Sequence, residues 1–346
     1  MLTFAENLLP ELVKQNPGWE FHGILPASVQ HRLPHGIWST ITEDASQFRR
    51  LISQQFAVGL MARRASADVG FSLGPVSPLL GRKIPWVEVI HDWRHCERPM
   101  DFSLPVRAYR NVIYSMSLGR CSSYVCVSER TRETTRRLYP RHSPKSAAVI
   151  YHGVDHVLPT GSTIKGDYLL AYGHWNNKRP DIAVRLWAKT VKRGVSPAWR
   201  LKIVGLDSDT RGHLLKLAAE LEVDGRLDLL GYCSSADFEE LRARASVQLV
   251  TSNYEGFGLP VLEALAGGQV VFASSDVGME EAGGTVAVFS DWTDLDHAAG
   301  AVARALNDPA WRETKISEGV QYAGQFRWSR CAEEYSRLIE TVARQG

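Results

Sequence analysis

The chain has 346 residues, 44% of them hydrophobic, enough to bury a sizeable core and to fill about two domains. Its five cysteines (Cys96, Cys121, Cys126, Cys233, Cys331) form no Cys-x-x-Cys pair and are odd in number, which argues against a disulfide framework and for free thiols in a reducing compartment. The net charge of +2 hides an asymmetry, because residues 1 to 150 carry 19 Lys and Arg against 12 Asp and Glu, leaving 21 against 26 for the remainder; the basic first half calls for an acidic partner, either an anionic membrane face or a phosphorylated acceptor.

The opening MLTFAENLLPELVKQ has acidic residues where a secretory signal needs basic ones, and no run of about 18 apolar residues occurs. A cytoplasmic protein is expected, touching at most the inner face of a membrane. Phe4, Leu8 and Leu12 recur at helical spacing, and Pro17-Gly18 stops this helix. Trp19 to Leu25 reads as a short strand. His22, His31 and His35 follow no ligand spacing, so they belong to a loop rather than a metal site. Gln47 to Arg64 reads as a helix, then Val69 to Leu73 and Pro85 to Ile90 as strands about a Pro-rich turn. The second strand ends at His91-Asp92. A strand whose carboxyl end delivers a polar pair is where a doubly wound sheet places ligand residues, although a histidine capping the strand end fits as well. Arg107 to Leu118 is a helix, Ser123 to Ser128 a strand, and Arg130 to Tyr139 a helix bearing Arg130, Arg132, Arg136 and Arg137. Ala147 to Ile150 runs into Tyr151-His152-Gly153-Val154-Asp155, and His156 to Asp167 has the Pro, Gly and Ser of a linker.

The second half alternates strand and helix, the pattern of a parallel sheet with crossover helices. Tyr168 to Tyr172 is a strand leading to a loop, Gly173 to Arg179, that carries His174, Lys178 and Arg179; Asp181 to Lys192 is a helix. Arg200 to Val204 is a strand ending at Gly205. A helix at Leu214 to Leu221 precedes a strand, Leu227 to Leu230, that ends in Gly231-Tyr232. Phe238 to Ala245 is helical and Val247 to Thr251 is a strand. Asp207-Ser208-Asp209 spells a metal-binding Asp-x-Asp, but after a strand and before a helix it reads as an N-cap, and Glu280-Glu281 reads as solvated surface. Val270 to Ala273 is a strand, and helices at Leu295 to Leu306 and Pro309 to Phe326 close the domain.

Between the strands lies SNYEGFGLPVLEALAGG, Ser252 to Gly268. Glu255 precedes Gly256-Phe257-Gly258, and Pro260 marks a helix start with Glu263 in its first turn. Glycines let a backbone approach a ligand, and a helix N-terminus is a ready anion site, phosphate being the obvious anion. Two carboxylates bracketing Gly-Phe-Gly-Leu-Pro are far more specific than Gly-x-Gly alone.

This stretch resembles the glutamate-pair signature of the retaining, nucleotide-sugar-dependent glycosyltransferases with the GT-B fold, the family 4-like group that includes many bacterial mannosyl- and glucosyltransferases. The resemblance implies two Rossmann-like α/β domains, their parallel sheets facing each other across a cleft. An acceptor domain would take residues 1–158 plus a returning helix at 330–346, and a donor domain residues 166–329. Gly153-Val154-Asp155 is similar to the family's mark for the end of the first domain, and Phe326-Arg327-Trp328-Ser329 to its returning tail. The resemblance implies Glu255 and His91 as catalytic residues at the donor sugar. Gly173, His174, Lys178, Arg179, Gly205, Tyr232, Gly256, Phe257, Gly258, Leu259 and Glu263 would bind the donor, Glu263 at the ribose, with no metal and no cofactor. The expected donor is GDP-mannose or a UDP-hexose, the acceptor a glycan or lipid-linked sugar in polysaccharide synthesis, and nucleic acid is no partner. Two departures stand out. Where the family has an arginine after the glycine of the phosphate loop, His174 stands, so the clamp falls to Lys178 with Arg179 or to a charged His174. The family's first strand and its glycine-rich loop also have no counterpart, Met1 falling where that loop ends, so either the natural start lies upstream or acceptor transfer is weak. A non-catalytic sugar-nucleotide-binding subunit and a sugar-nucleotide epimerase are the rival readings.

Overall fold

The computed structural model describes residues 2–30, 32–33, 37–41, 56–78, 84–142, 146–157, 165–173 and 176–345. The chain divides into two compact units, Met1–His156 with Phe326–Gly346, and Val157–Gln325.

In the first unit the helix Leu2–Gln15 buries Phe4, Leu8 and Leu12, the stripe its spacing requires. That stripe lies along the last helix, Trp328–Ala343: Asn16 Nδ2 donates to Ser336 Oγ at 2.8 Å, and the Phe4 ring stands 6.0 Å from those of Trp328 and Tyr335. Strands β1 (His22–Pro26) and β2 (Ile37–Ile41) pair in parallel as a two-stranded sheet. β3 (Gly70–Ser72), β4 (Trp86–Ile90), β5 (Ser123–Cys126) and β6 (Ser146–Val149) form a parallel sheet in chain order. The strand expected at Trp19 to Leu25 begins only at His22, because the Trp19 N–H closes a turn onto Asn16 O. Of the expected helix Gln47 to Arg64, Val58–Arg64 is helical; residues 47–55 lie outside the described residues, as do His31 and His35. The Arg107 to Leu118 helix extends to Leu104–Arg120, since Pro105 suits a helix start. Behind β4 and β5, the core is built from Trp86, Ile90, Trp93, Leu118 and Tyr124.

The Gly153-Val154-Asp155 string joins the first stretch of this unit to the last. Val154 N–H donates to Phe326 O at 2.9 Å, and Asp155 Oδ1 accepts from Trp328 N–H at 2.8 Å. A Cβ on Gly153 would stand 2.2 Å from the Trp328 nitrogen, so only glycine lets the two backbones meet.

The second unit holds six parallel strands: β7 (Gly166–Tyr172), β8 (Arg200–Val204), β9 (Leu227–Leu229), β10 (Ala245–Val250), β11 (Val270–Ser274) and β12 (Val288–Ser290). Their spatial order is β12-β11-β10-β7-β8-β9. β10 and β11 are buried at every residue, as strands covered by helices on both faces must be. Leu169, Ala171, Ile203, Leu249 and Phe272 meet Trp187, Val302 and Leu306 from the flanking helices in one core. The helix expected from Leu214 starts at Ser208, where Asp207 Oδ1 accepts from Thr210 N–H at 2.8 Å and caps it. A helix at Val277–Gly283 and strand β12 were not foreseen.

Candidate functional site

The strand order reverses between β7 and β10, which lie side by side while their successors run off in opposite directions. In an open parallel sheet such a switch point parts the loops at the carboxyl ends and leaves a crevice. The loops after β7, β8, β9 and β10 supply Gly173, Asn176 to Arg179, Gly205, Tyr232 and Glu255 to Leu259. These are the residues singled out by sequence, and topology brings them to one end of one sheet.

The loops after β7 and β10 are fastened together. A single turn of 3-10 helix, Asn176–Lys178, follows β7. Asn177 Nδ2 donates to Tyr254 O at 3.2 Å, Asn253 N–H donates to Asn177 O at 2.9 Å, and Thr251 Oγ1 donates to Lys178 O at 2.7 Å. This staple delivers the Lys178 ammonium to Glu255, with Nζ to Oε1 at 2.7 Å and side chains only 7% and 16% exposed. In so dry a place each charge depends on the other, because an uncompensated buried ion costs several kcal/mol.

Beyond Glu255 the chain turns sharply. Gly258 has φ +89°, a conformation that side chains rarely adopt, and serves as N-cap of the helix Leu259–Ala266. The helix therefore begins one residue before Pro260, and Glu263 falls in its second turn rather than the first. Against this loop packs the helix Val277–Gly283, where a Cβ on Gly278 would stand 2.4 Å from Glu255 O. Phe257 is buried and anchors the loop, while Leu259, at the helix start, presents an N–H that has no partner within the helix. At Gly173 a Cβ would lie 2.2 Å from Leu206 Cδ2, so a side chain there would have to displace Leu206, and Gly205 turns with φ +83°. Tyr232 is 73% exposed, an aromatic plate at the carboxyl end of β9. The site thus offers one buried cation, a carboxylate beside it, a glycine-relieved helix N-terminus and an open ring.

The glycosyl transferases group 1 family matches residues 163–321, and the Glycosyltransferase Family 4 family matches residues 3–158. The chain belongs to the family 4-like glycosyltransferases of the GT-B fold. It is 35% identical over 108 residues to O-antigen chain mannosyltransferase B of Escherichia coli, covering 31% of this chain and 28% of the relative. Phosphatidyl-myo-inositol mannosyltransferase of Mycobacterium tuberculosis is 33% identical over 195 residues, 53% of this chain and 49% of that one. The matched region thus spans about half or less of these curated relatives. Among solved structures, Anabaena HepE with UDP and glucose superimposes with TM-score 0.72 at 17% identity, over 97% of this chain and 96% of that one. A glycosyltransferase from Rickettsia africae gives 0.74 at 13% identity, over 99% and 95%.

Several expected site residues take particular positions. Arg179 sits at φ +47° and forks onto Asp181 at 2.9 and 2.8 Å, so its guanidinium is held by a carboxylate. His174 lies outside the described residues. His91 belongs to the first unit, at the carboxyl end of β4. Its Nε2–H donates to Leu73 O at 2.8 Å, its ring meets Phe4 edge-on, and burial pushes its pKa down to about 4. It is a neutral imidazole near pH 7. Asn177, Thr251 and Gly278 escaped the sequence reading. Their types carry no chemical signal, and their work appears only once two loops are known to touch.

Proposed function

We propose that this chain is a retaining glycosyltransferase that moves a hexose from a nucleoside diphosphate sugar to a glycan or lipid-linked acceptor in polysaccharide synthesis. The observation that carries it is the Lys178–Glu255 pair at the switch point, seated beside a helix N-terminus. Breaking the anomeric C–O bond loads charge onto the departing diphosphate while the sugar gains oxocarbenium character. Fixed positive groups aimed at that diphosphate lower the barrier. Lys178 and the amides of Phe257, Gly258 and Leu259 supply them, so the reaction needs no metal. Glu255 meets the transferring sugar, Glu263 the ribose and Tyr232 the base. Retention follows from same-face attack, the leaving phosphate taking the acceptor's proton. Arg179 is forked onto Asp181 as Lys178 is bonded to Glu255, so each cation of the clamp would meet the diphosphate beside a carboxylate that already holds it.

GDP-mannose is the favoured donor, given relatives named as mannosyltransferases, and a UDP-hexose is the other candidate, given a neighbour bound to UDP and glucose. We also assign the basic first unit a peripheral contact with an anionic membrane; among the described residues no helix is long and apolar enough to cross one. Thermal-shift screening against nucleotide sugars tests the donor, followed by chromatography of the products. Release of free hexose and nucleoside diphosphate, unaffected by chelator, is expected. Release of an epimer, loss of activity in chelator with rescue by manganese, or binding without turnover would each overturn part of this reading.

A further inference from the structure

Three elements that lead to the candidate site meet on one side chain at the opposite end of the second unit's sheet. Lys165 immediately precedes β7, and its ammonium donates to Ala243 O at 2.8 Å and to Gly267 O at 2.7 Å. Ala243 lies in the last turn of the helix Ser235–Arg244, and Gly267 is the C-cap of Leu259–Ala266. The other ends of these elements are the site: β7 leads to Gly173, Ser235–Arg244 begins just past Tyr232, and Leu259–Ala266 opens at Gly258. The last carbonyls of a helix have no partner within it and carry the negative end of its dipole, so a cation is favoured there. Lys165 meets two such ends at once. Tyr168 Oη donates to Leu241 O at 2.6 Å and Gln269 Nε2 to Arg242 O, so side chains take three successive carbonyls at the end of Ser235–Arg244. Of these three, Lys165 alone brings charge. Burial, with the Arg242 guanidinium nearby, pulls its pKa down to about 8, and among the described residues no carboxylate pairs with it. The two helix ends are what hold this ammonium in a desolvated place.

We propose that Lys165 is a positioning residue for the donor: it fixes the feet of Leu259–Ala266 and Ser235–Arg244 against β7, and so sets where the head of Leu259–Ala266 presents its N–H groups to the diphosphate. This rests on the reading of that helix N-terminus as the diphosphate site. Leu259–Ala266 has 8 residues and is therefore about 12 Å long, a rod so short that movement at its foot carries to its head. The charge acts along the same rod. An ammonium at the foot offsets the negative field that the helix's own last carbonyls would otherwise project toward the phosphates.

The test is calorimetric titration of GDP and of UDP into the full chain as wild type, Lys165→Met and Lys165→Arg, with the fold of each checked by circular dichroism and urea unfolding. Lys165→Met keeps the apolar stem and removes charge and donors. Affinity for whichever diphosphate the wild type binds should fall about fivefold or more, as for a cation lost from a partly buried helix end. Lys165→Arg keeps both charge and donors and should restore most of that affinity. If Lys165→Met does not fold, Lys165→Gln, which keeps N–H donors without charge, takes its place and must show the same loss. Unchanged affinity in a folded, uncharged variant overturns the proposal, as does a loss that Lys165→Arg shares in full. Failure of the wild type to bind either diphosphate overturns the donor-site reading itself and this proposal with it, whereas binding by wild type and variants alike overturns this proposal alone.

Discussion

Lys178 and Glu255 form a nearly dry pair, and the consequence of a substitution depends on which charge is left behind. Glu255→Gln keeps the volume and an acceptor for Lys178 but removes its counter-charge, so urea unfolding should show a loss of stability while turnover falls about 10²-fold or more, the usual loss when a transition-state contact is removed. Lys178→Ala strands a buried carboxylate. It should cost about 3–5 kcal/mol in urea unfolding and weaken nucleoside diphosphate binding in calorimetric titration. Gly278→Ala brings a methyl to within 2.4 Å of Glu255 O, so the loop must move. Donor turnover should drop through displacement of the Glu255 loop; unchanged kinetics would mean that the loop has slack. The glutamate pair was legible in sequence because carboxylates, glycines and proline occur there in a rare order. The staple was not, because an Asn and a Thr seventy-odd residues apart mean nothing until β7 and β10 are neighbours.

At the scale of elements, sequence patterns succeeded where one physical cause dominates. The central strands β10 and β11 are mostly apolar because both faces are covered, and the N-terminal helix was given by its four-residue spacing. Ends were lost where a single contact sets them, as with Asp207 extending its helix back to Ser208 and Gly258 starting its helix at Leu259. Val277–Gly283 was missed because its Gly and Glu content masks a helix made by packing against the signature loop. The Gly153-to-Asp155 clasp has an energetic consequence that resemblance alone could not supply. Asp155→Ala removes the acceptor for Trp328 N–H and should cost about 0.5–2 kcal/mol in urea unfolding, as loss of a helix cap does. Gly153→Val should cost more, since backbone cannot give way as a side chain can. If both variants unfold at the wild-type midpoint, the clasp does not hold the returning helix.

At the scale of the whole molecule, the two units should differ in their response to acid. Burial lowers His91 and His95 to about 4 and His152 well below its ordinary value, and all three belong to the first unit. Unfolding returns them to about 6.5, so between those values the unfolded unit binds more protons. Stability therefore falls as pH drops from about 6.5 toward 4, by up to about 1.4 kcal/mol per pH unit for each proton. In the second unit, Asp228 and Asp296 are held below the usual carboxylate range by hydrogen bonds from Arg200 and Lys189. Their contribution persists above the unfolded carboxylate pKa, near 4, and is lost only below it. Hydrogen exchange at pH 5 and 7, corrected for intrinsic rates, should show the first unit losing protection while the second keeps it. The reverse order would contradict these assignments. The most direct test of the central claim is donor turnover and nucleoside diphosphate binding measured together on wild type and Glu255→Gln, with GDP-mannose and UDP-glucose. The account predicts that wild type releases hexose and nucleoside diphosphate from at least one donor, and that Glu255→Gln still binds the nucleotide but has lost about 10²-fold or more in turnover. Full turnover by Glu255→Gln would contradict it.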